Sequence, residues 1–250
     1  MKEQASYRSL AGQCVLLTGG ASGIGAEIVR GFAQQDAQIG FVDFDAAGSA
    51  AIAEEVGATY EIADLRDIGA LKTAFANLIA KLGSPKVLVN NAARDDRHGW
   101  ETVTEEYYDE RISANLRHMF FATQACAPSM IAAGRGGSII NMGSNSWWEK
   151  SGGMPVYTTS KAAVHGMTRS FARDLGPHRI RVNTVVPGWI MTDRQKELWV
   201  TEDALKAHLA NQCTPDPIQP EEVAQMVLFL ASDAASACTA SNFFVEAGSI

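Results

Sequence analysis

Short, unbroken apolar runs alternate along this chain with longer stretches in which apolar positions recur every three or four residues. The first run, "CVLLTGG", predicts a strand, and "GAEIVRGFAQQ" behind it predicts a helix. "QIGFVDFD" with "AAGSAAIAEEV", and "ATYEIADL" with "DIGALKTAFANLIAKL", repeat the unit, and "KVLVNNA" begins a fourth. One long helical stretch is expected through "EEYYDERISANLRHMFFATQACAPSMIAA". A fifth strand, "GGSIINMGS", a helix, "YTTSKAAVHGMTRSFARDLG", and a sixth strand, "IRVNTVVPG", follow it. After an irregular segment, "PEEVAQMVLFLAS" predicts a helix and "NFFVEAG" a last strand. Strands that are apolar on both faces and separated by helices imply a parallel sheet covered on both sides. Right-handed crossovers wind such units into a doubly wound α/β sheet, here seven-stranded, with helices on both faces. Nothing in the pattern resembles a linker, so residues 1–250 are expected to form a single domain.

Composition narrows the partners. A net charge of −7 argues against nucleic acid, which demands a basic face. The start, "MKEQASYRSLAGQ", has no apolar leader core, and no apolar run reaches the length of a membrane span. Cys14, Cys126, Cys213 and Cys238 lie far apart with no C-x-x-C, as expected for reduced thiols in the cytoplasm. The five histidines are equally scattered, so no metal site is expected.

Between the first strand and its helix sits "TGGASGIG", Thr18 to Gly25. Glycines allow close approach of the backbone to a pyrophosphate, and the N–H groups at the start of the following helix hold its charge. That makes Gly19, Ser22, Gly23, Ile24 and Gly25 candidate cofactor contacts, although a tight strand-to-helix turn has the same composition. Asp43 ends the second strand, where a carboxylate can accept both hydroxyls of an adenosine ribose and repel a 2′-phosphate, favouring NAD over NADP. Asp64 ends the third strand, placed either to meet the adenine amino group or to cap a helix. Further on, Tyr157 and Lys161 are four residues apart, on one face of the helix predicted there. Alone, such a pair is equally compatible with a solvated helix start.

These residues in this order, with Asp64-Leu65, "NNA", Asn115, Ser144, "YTTSK" and "VPGWIMT", resemble the short-chain dehydrogenase/reductase family over essentially the whole chain, a family with the Rossmann fold. The resemblance implies that Tyr157 is the acid/base, ionised near neutrality by the ammonium of Lys161, and that Ser144 hydrogen-bonds the substrate oxygen. It implies that Asn115 anchors a water linking Lys161 to solvent. It also implies that Leu65, Asn91, Ala92, Tyr157, Lys161, Pro187, Gly188, Ile190 and Thr192 join the cofactor site. Family members are commonly homotetramers. Ala93 stands where the family usually has glycine after "NNA", adding a methyl where the backbone passes close to the cofactor.

The segments "AARDDRHGW" and "SNSWWEKSGG" leave the carboxyl ends of the fourth and fifth strands and should shape the substrate pocket. They are polar and carry tryptophan, as suits a sugar site, although a solvated loop with core or interface tryptophans has the same composition. "DDRH", "DERI..NLRHM", "GS.SW", "VPG....RQ" and "QC" are similar to the aldose 1-dehydrogenases of the family. That similarity implies oxidation of the C1 hydroxyl of a cyclic aldose (pentose, hexose or 6-deoxyhexose) to the lactone, with hydride passing to NAD. Arg94, Asp95, Ser144, Asn145, Trp147 and Tyr157 are then the candidate sugar contacts, and residues 189–213 a small helical lid. Two other readings stay open: oxidation or reduction of another secondary alcohol or ketone (a polyol, hydroxy acid or acyl ketone), and a non-catalytic NAD-binding protein.

Overall fold

The sheet grows outward from the first apolar run. In the computed structural model, which describes residues 5–250, Cys14–Thr18 forms β1 and all of its residues are buried. Parallel neighbours flank it, β2 (Gln38–Asp43) on one side and β4 (Val87–Asn90) on the other. The remaining strands are β3 (Thr59–Ile62), β5 (Gly137–Met142), β6 (Ile180–Pro187) and β7 (Asn242–Val245). All pair in parallel in the order β3-β2-β1-β4-β5-β6-β7, so the expected seven-stranded doubly wound sheet is the observed fold. The order reverses between β1 and β4, and in open parallel sheets the crevice outside the strand carboxyl ends at such a point is where ligands bind.

The helices are α1 (Gly23–Ala33), α2 (Ala46–Val56), α3 (Ile68–Leu82), α4 (Glu105–Ile112), α5 (His118–Ala133), α6 (Pro155–Leu175), α7 (Asp193–Leu198), α8 (Glu202–Ala210) and α9 (Pro220–Ala231). Alternate side chains of a strand enter opposite faces. Val15 and Leu17 pack with Ile28 and Phe32 of α1 and Val223 and Val227 of α9. Cys14 and Leu16 pack instead with Leu71 and Phe75 of α3 and Cys126 and Met130 of α5. The carboxyl ends of the strands depart from this apolar pattern. Thr18, Asn90, Asn141 and Thr184 lie side by side across β1, β4, β5 and β6. Asn90 donates to Asn141 (2.8 Å), Asn141 donates to Thr168 of α6 (3.0 Å), and Thr184 bonds the same Thr168 hydroxyl (2.8 Å). This buried polar row fixes the strand ends on which the crevice is built.

Helix starts separate into two kinds. Asp45 caps α2 and Asp67 caps α3, each accepting two backbone N–H groups. At the starts of α1 and α6, Ser22 and Met154 supply no side-chain cap. Those two N-termini both open on the crevice.

One expectation requires correction. The long helical stretch is α4 and α5 joined by a π-turn, Ser113–Arg117, because an extra residue is accommodated in the helical ladder there. Asn115 sits in that turn. Beyond β6, Ile190 bridges to Ile218, so α7 and α8 form an excursion that leaves the sheet and returns beside its own starting point. Among the described residues, no helix is long and apolar enough to cross a membrane. The first four residues of "MKEQASYRSLAGQ", part of the segment read for a leader, lie outside the described residues.

Candidate active site

A cavity of about 1160 Å³ runs across the carboxyl ends of β1, β2, β4, β5 and β6. It brings together Gly19, Ser22, Gly23, Ile24, Gly25, Asp43, Asp64, Leu65, Asn91, Ala92, Arg94, Asp95, Ser144, Asn145, Tyr157, Lys161, Pro187, Gly188, Ile190 and Thr192, which the sequence scattered over 170 positions. Asn115 lies buried behind this wall. Trp147 does not line it.

The glycine turn is shaped by what a side chain would strike. Gly19 has φ +74°, and a Cβ on it would come within 2.9 Å of Ala92 Cα. A Cβ on Gly25 would overlap the Gly19 carbonyl oxygen. Asn91 holds the same carbonyl with its amide (2.7 Å), and the Thr18 hydroxyl accepts the N–H groups of Asn91 (3.0 Å) and Ala92 (3.2 Å). The uncapped N-terminus of α1 faces this turn and leaves its N–H groups for an anion. Asp43 is buried, its carboxylate accepting the N–H groups of Ala21 (2.9 Å) and Asp45 (3.0 Å). Asp64 is instead engaged by Arg66, whose guanidinium also reaches Glu110. That guanidinium holds the Asp64 carboxyl below its usual range, and both of its ion pairs are made away from Asp43. Ala93, the departure noted above, is exposed and does not close the groove. The residues present therefore fit a dinucleotide.

At the other end, Lys161 is only 1% exposed and donates to the Met142 carbonyl oxygen at 2.8 Å. Its Nζ lies 5.7 Å from the Tyr157 ring centre. The Ser144 hydroxyl acts on the Tyr157 phenol from across the cavity, and the Ser146 N–H anchors the Ser144 oxygen (3.1 Å). Tyr157 is partly exposed, and it faces the cavity. The expectation that Lys161 draws the phenol down to neutrality is not what this environment produces. Desolvation in the dense surroundings of its oxygen pushes Tyr157 above its ordinary value, and the charge of Asp95 adds to that. The Ser144 hydroxyl and Arg97 pull it back only in part. Burial likewise lowers Lys161 to about 7, with Asp95 opposing. Desolvation outweighs the charge pair because an ion in a packed interior loses far more hydration than one distant neighbour returns.

Asn115 accepts the Arg94 backbone N–H at 2.7 Å, and its buried Nδ2 has no partner among the described residues. A spare buried donor of this kind suits a water on a proton path. His118, at the start of α5, was not singled out by its sequence context. It is fully buried, its Nε2 lies 2.9 Å from the Ala92 carbonyl oxygen, and burial lowers it to about 3. The neutral ring thereby braces the cofactor-facing loop.

The substrate end is walled by Arg94, Asp95, Arg97, Asn145, Glu149 and, from the α7–α8 excursion, Trp189, Gln195, Trp199 and His208. Asp95 accepts from Gln195 (2.7 Å), and Gln195 accepts from the Trp189 indole (2.8 Å). Asn145 donates to Glu149 (2.6 Å). Trp147 corrects a third expectation: its indole N–H donates to His165 Nε2 (3.2 Å), and its ring packs on Trp148, away from the cavity. His165 is free to accept because its other nitrogen faces Asn242 Oδ1 (2.7 Å). The aromatic walls come from Trp189 and Trp199 instead.

Residues 19–249 match a family profile described as enoyl-(acyl carrier protein) reductase. D-xylose 1-dehydrogenase of Caulobacter vibrioides (strain NA1000 / CB15N) is 47% identical over 249 residues, covering 98% of each chain. A Rhizobium meliloti (strain 1021) protein named "Probable galactose dehydrogenase GalD" is 44% identical over 250 residues, covering 98% of this chain and 97% of its own. The ligand-free structure of Thermoplasma acidophilum aldohexose dehydrogenase superposes with a TM-score of 0.89 at 27% identity, covering 98% of this chain and 96% of that one.

Proposed function

The chain belongs to the short-chain dehydrogenase/reductase family of oxidoreductases, and from that premise we propose that it oxidises the C1 hydroxyl of a cyclic aldose to the lactone with NAD as hydride acceptor. The observation that carries this reading is the joining of two chemistries in one cavity. Ser144, Tyr157 and Lys161 stand between a carboxylate-ended nucleotide groove and a hydroxyl-matching enclosure of Asp95, Arg94, Glu149 and His208. Relatives named for xylose and galactose support the sugar class.

In this mechanism, Gly19, the α1 N-terminus and Asn91 hold the dinucleotide's phosphates and near ribose, while Asp43 takes the adenosine hydroxyls. Bound NAD supplies the hydride acceptor and a positively charged ring. Ser144 and Tyr157 grip the C1 hydroxyl together, which fixes its lone pairs and aligns its proton with the phenol oxygen. Tyr157 first gives up its own proton along the Asn115 path. Its phenolate then takes the O–H proton as the C1–H pair leaves, and the oxygen's electrons close the carbonyl of the lactone. Ser144 steadies the developing carbonyl, and the ammonium form of Lys161, 5.7 Å from the Tyr157 ring centre, favours the phenolate against the desolvation that raises it. Asn115, with its spare donor, holds the water that returns the proton to solvent. The α7–α8 excursion acts as the lid, bringing Trp189 and Trp199 over the sugar and excluding water.

NAD is preferred over NADP because the buried Asp43 charge meets a 2′-phosphate with repulsion and Arg66 is committed to Asp64 and Glu110. An acyl-ketone substrate would need an apolar tunnel, which the charged far wall does not offer. The protein works in the cytoplasm, in keeping with four unpaired cysteines. It assembles as a homotetramer through α5 and α6, where Phe120 is 44% exposed beside Phe171.

The direct test is a panel of pentoses, hexoses and 6-deoxyhexoses offered with NAD or NADP and followed by the absorbance of the reduced nicotinamide. Turnover is expected with at least one aldose, with kcat/KM for NAD exceeding that for NADP by roughly 100-fold. Turnover of a polyol or acyl ketone with none on any sugar would reject the substrate class.

A further inference from the structure

The helix that carries Tyr157 and Lys161 starts badly. Its N-cap, Met154, has φ −159° and ψ 48° and offers no side-chain cap, and its first residue, Pro155, has no N–H. The first N–H of α6 that needs a cap is therefore that of Val156, the buried residue next to Tyr157. It is met from outside the helix by His98 Nε2 at 3.2 Å. A nitrogen that accepts carries no proton, so the hydrogen of this imidazole sits on Nδ1. Nδ1 faces the Asp96 carbonyl oxygen at 2.9 Å and the Tyr107 hydroxyl of α4 at 3.0 Å. The Tyr107 ring packs edge-on against the imidazole. The His98 backbone N–H also donates to the Gly153 carbonyl oxygen at 2.7 Å, tying the loop to the segment just before the helix.

We infer that His98 is a positioning residue: its bare Nε2 caps the N-terminus of α6 in place of the missing N-cap side chain and thereby sets where the Tyr157 hydroxyl stands. Two separate anchors hold this helix. Lys161, one turn along, is fixed to the Met142 carbonyl of β5. The first turn of α6, with Tyr157 in it, is fixed by His98. Releasing the second anchor while the first holds shifts the phenol relative to both Lys161 and Ser144, and small misplacements of a reacting group are expensive in rate. Substrate and nucleotide contacts elsewhere in the cavity remain in place.

The inference rests on the proposed dehydrogenase activity for its kinetic consequence only. Two conservative variants separate capping from simple loop support, because the glutamine amide reaches the Nε2 position and the asparagine amide reaches only the Nδ1 position. His98→Gln keeps an acceptor for Val156. His98→Asn keeps the bond to Asp96 and loses the one to Val156. His98→Gln is expected to retain kcat within about threefold, whereas His98→Asn loses roughly 10- to 100-fold in kcat with KM for NAD changed by less than about twofold. Hydrogen exchange in the peptide spanning residues 154–161, followed by mass spectrometry, should be roughly fivefold faster in His98→Asn alone. Equal kcat in the two variants, or a slower His98→Gln, overturns the inference. Should the wild-type protein turn over no aldose at all, the proposed activity fails, while the exchange comparison still decides whether His98 caps the helix.

Discussion

Replacing Tyr157 by phenylalanine is expected to lower kcat by roughly 1000-fold or more while changing NAD affinity by less than about twofold. The variant keeps the ring that packs at the start of α6 and removes only the oxygen. Without it, the C1 proton faces Ser144, a hydroxyl that is itself anchored by the Ser146 N–H and has no base behind it. The rest of the nucleotide groove, built on Gly19, Asp43 and Asn91, is untouched by the change. Steady-state rates, paired with NAD titration of the same preparation, check both halves. Unchanged turnover would overturn the assigned chemistry, and lost nucleotide binding would mean that the tyrosine shapes the groove instead of acting on substrate.

Replacing Lys161 by methionine should also abolish turnover, yet make the ligand-free protein more stable. Burial lowers Lys161 from 10.5 to about 7. Between those values the unfolded chain binds a proton that the folded one does not, so stability rises with pH across that window. Below pH 7 the folded protein carries the whole cost of the buried ammonium, about 5 kcal/mol. Methionine removes that cost but leaves the Met142 carbonyl unpaired, a loss of about 1–3 kcal/mol. The net gain is then about 3 kcal/mol at pH 6.5, vanishing by about pH 9.5 as the wild-type penalty fades. Above pH 10, Tyr157, whose folded value is raised, lowers the stability of both proteins alike. Denaturant unfolding of both proteins across this range checks the account. A variant equally destabilised at every pH would show that Lys161 is a structural ion after all.

The fold was legible because its strands are apolar runs of the length a buried parallel strand needs, with turn residues between them. The π-turn was not, since one inserted residue leaves the helical repeat almost unchanged; only Asn115, a poor helix former, hinted at it. The nucleotide groove was equally open to inspection. Its glycines and Asp43 lie at the ends of β1 and β2, where backbone geometry and charge are both fixed by local sequence. The substrate wall was much less so. Nothing in "SNSWWEK" says that Trp147 turns away from the cavity, because its partners, His165 and Asn242, lie far along the chain. Trp189, Trp199 and His208 enter the wall only through the course of the α7–α8 excursion. The direction of the Tyr157 shift was hidden for a related reason: spacing reveals a lysine one turn away, but not how much water the phenol has lost.

The claim that hydride leaves C1 of an aldose can be followed atom by atom. With a turned-over sugar deuterated at C1, the reduced nicotinamide isolated from the reaction should be one mass unit heavier, and the organic product should be the unlabelled lactone. Unlabelled reduced nicotinamide, with deuterium retained in an oxidised sugar, would mean that another carbon is the donor and would contradict the account.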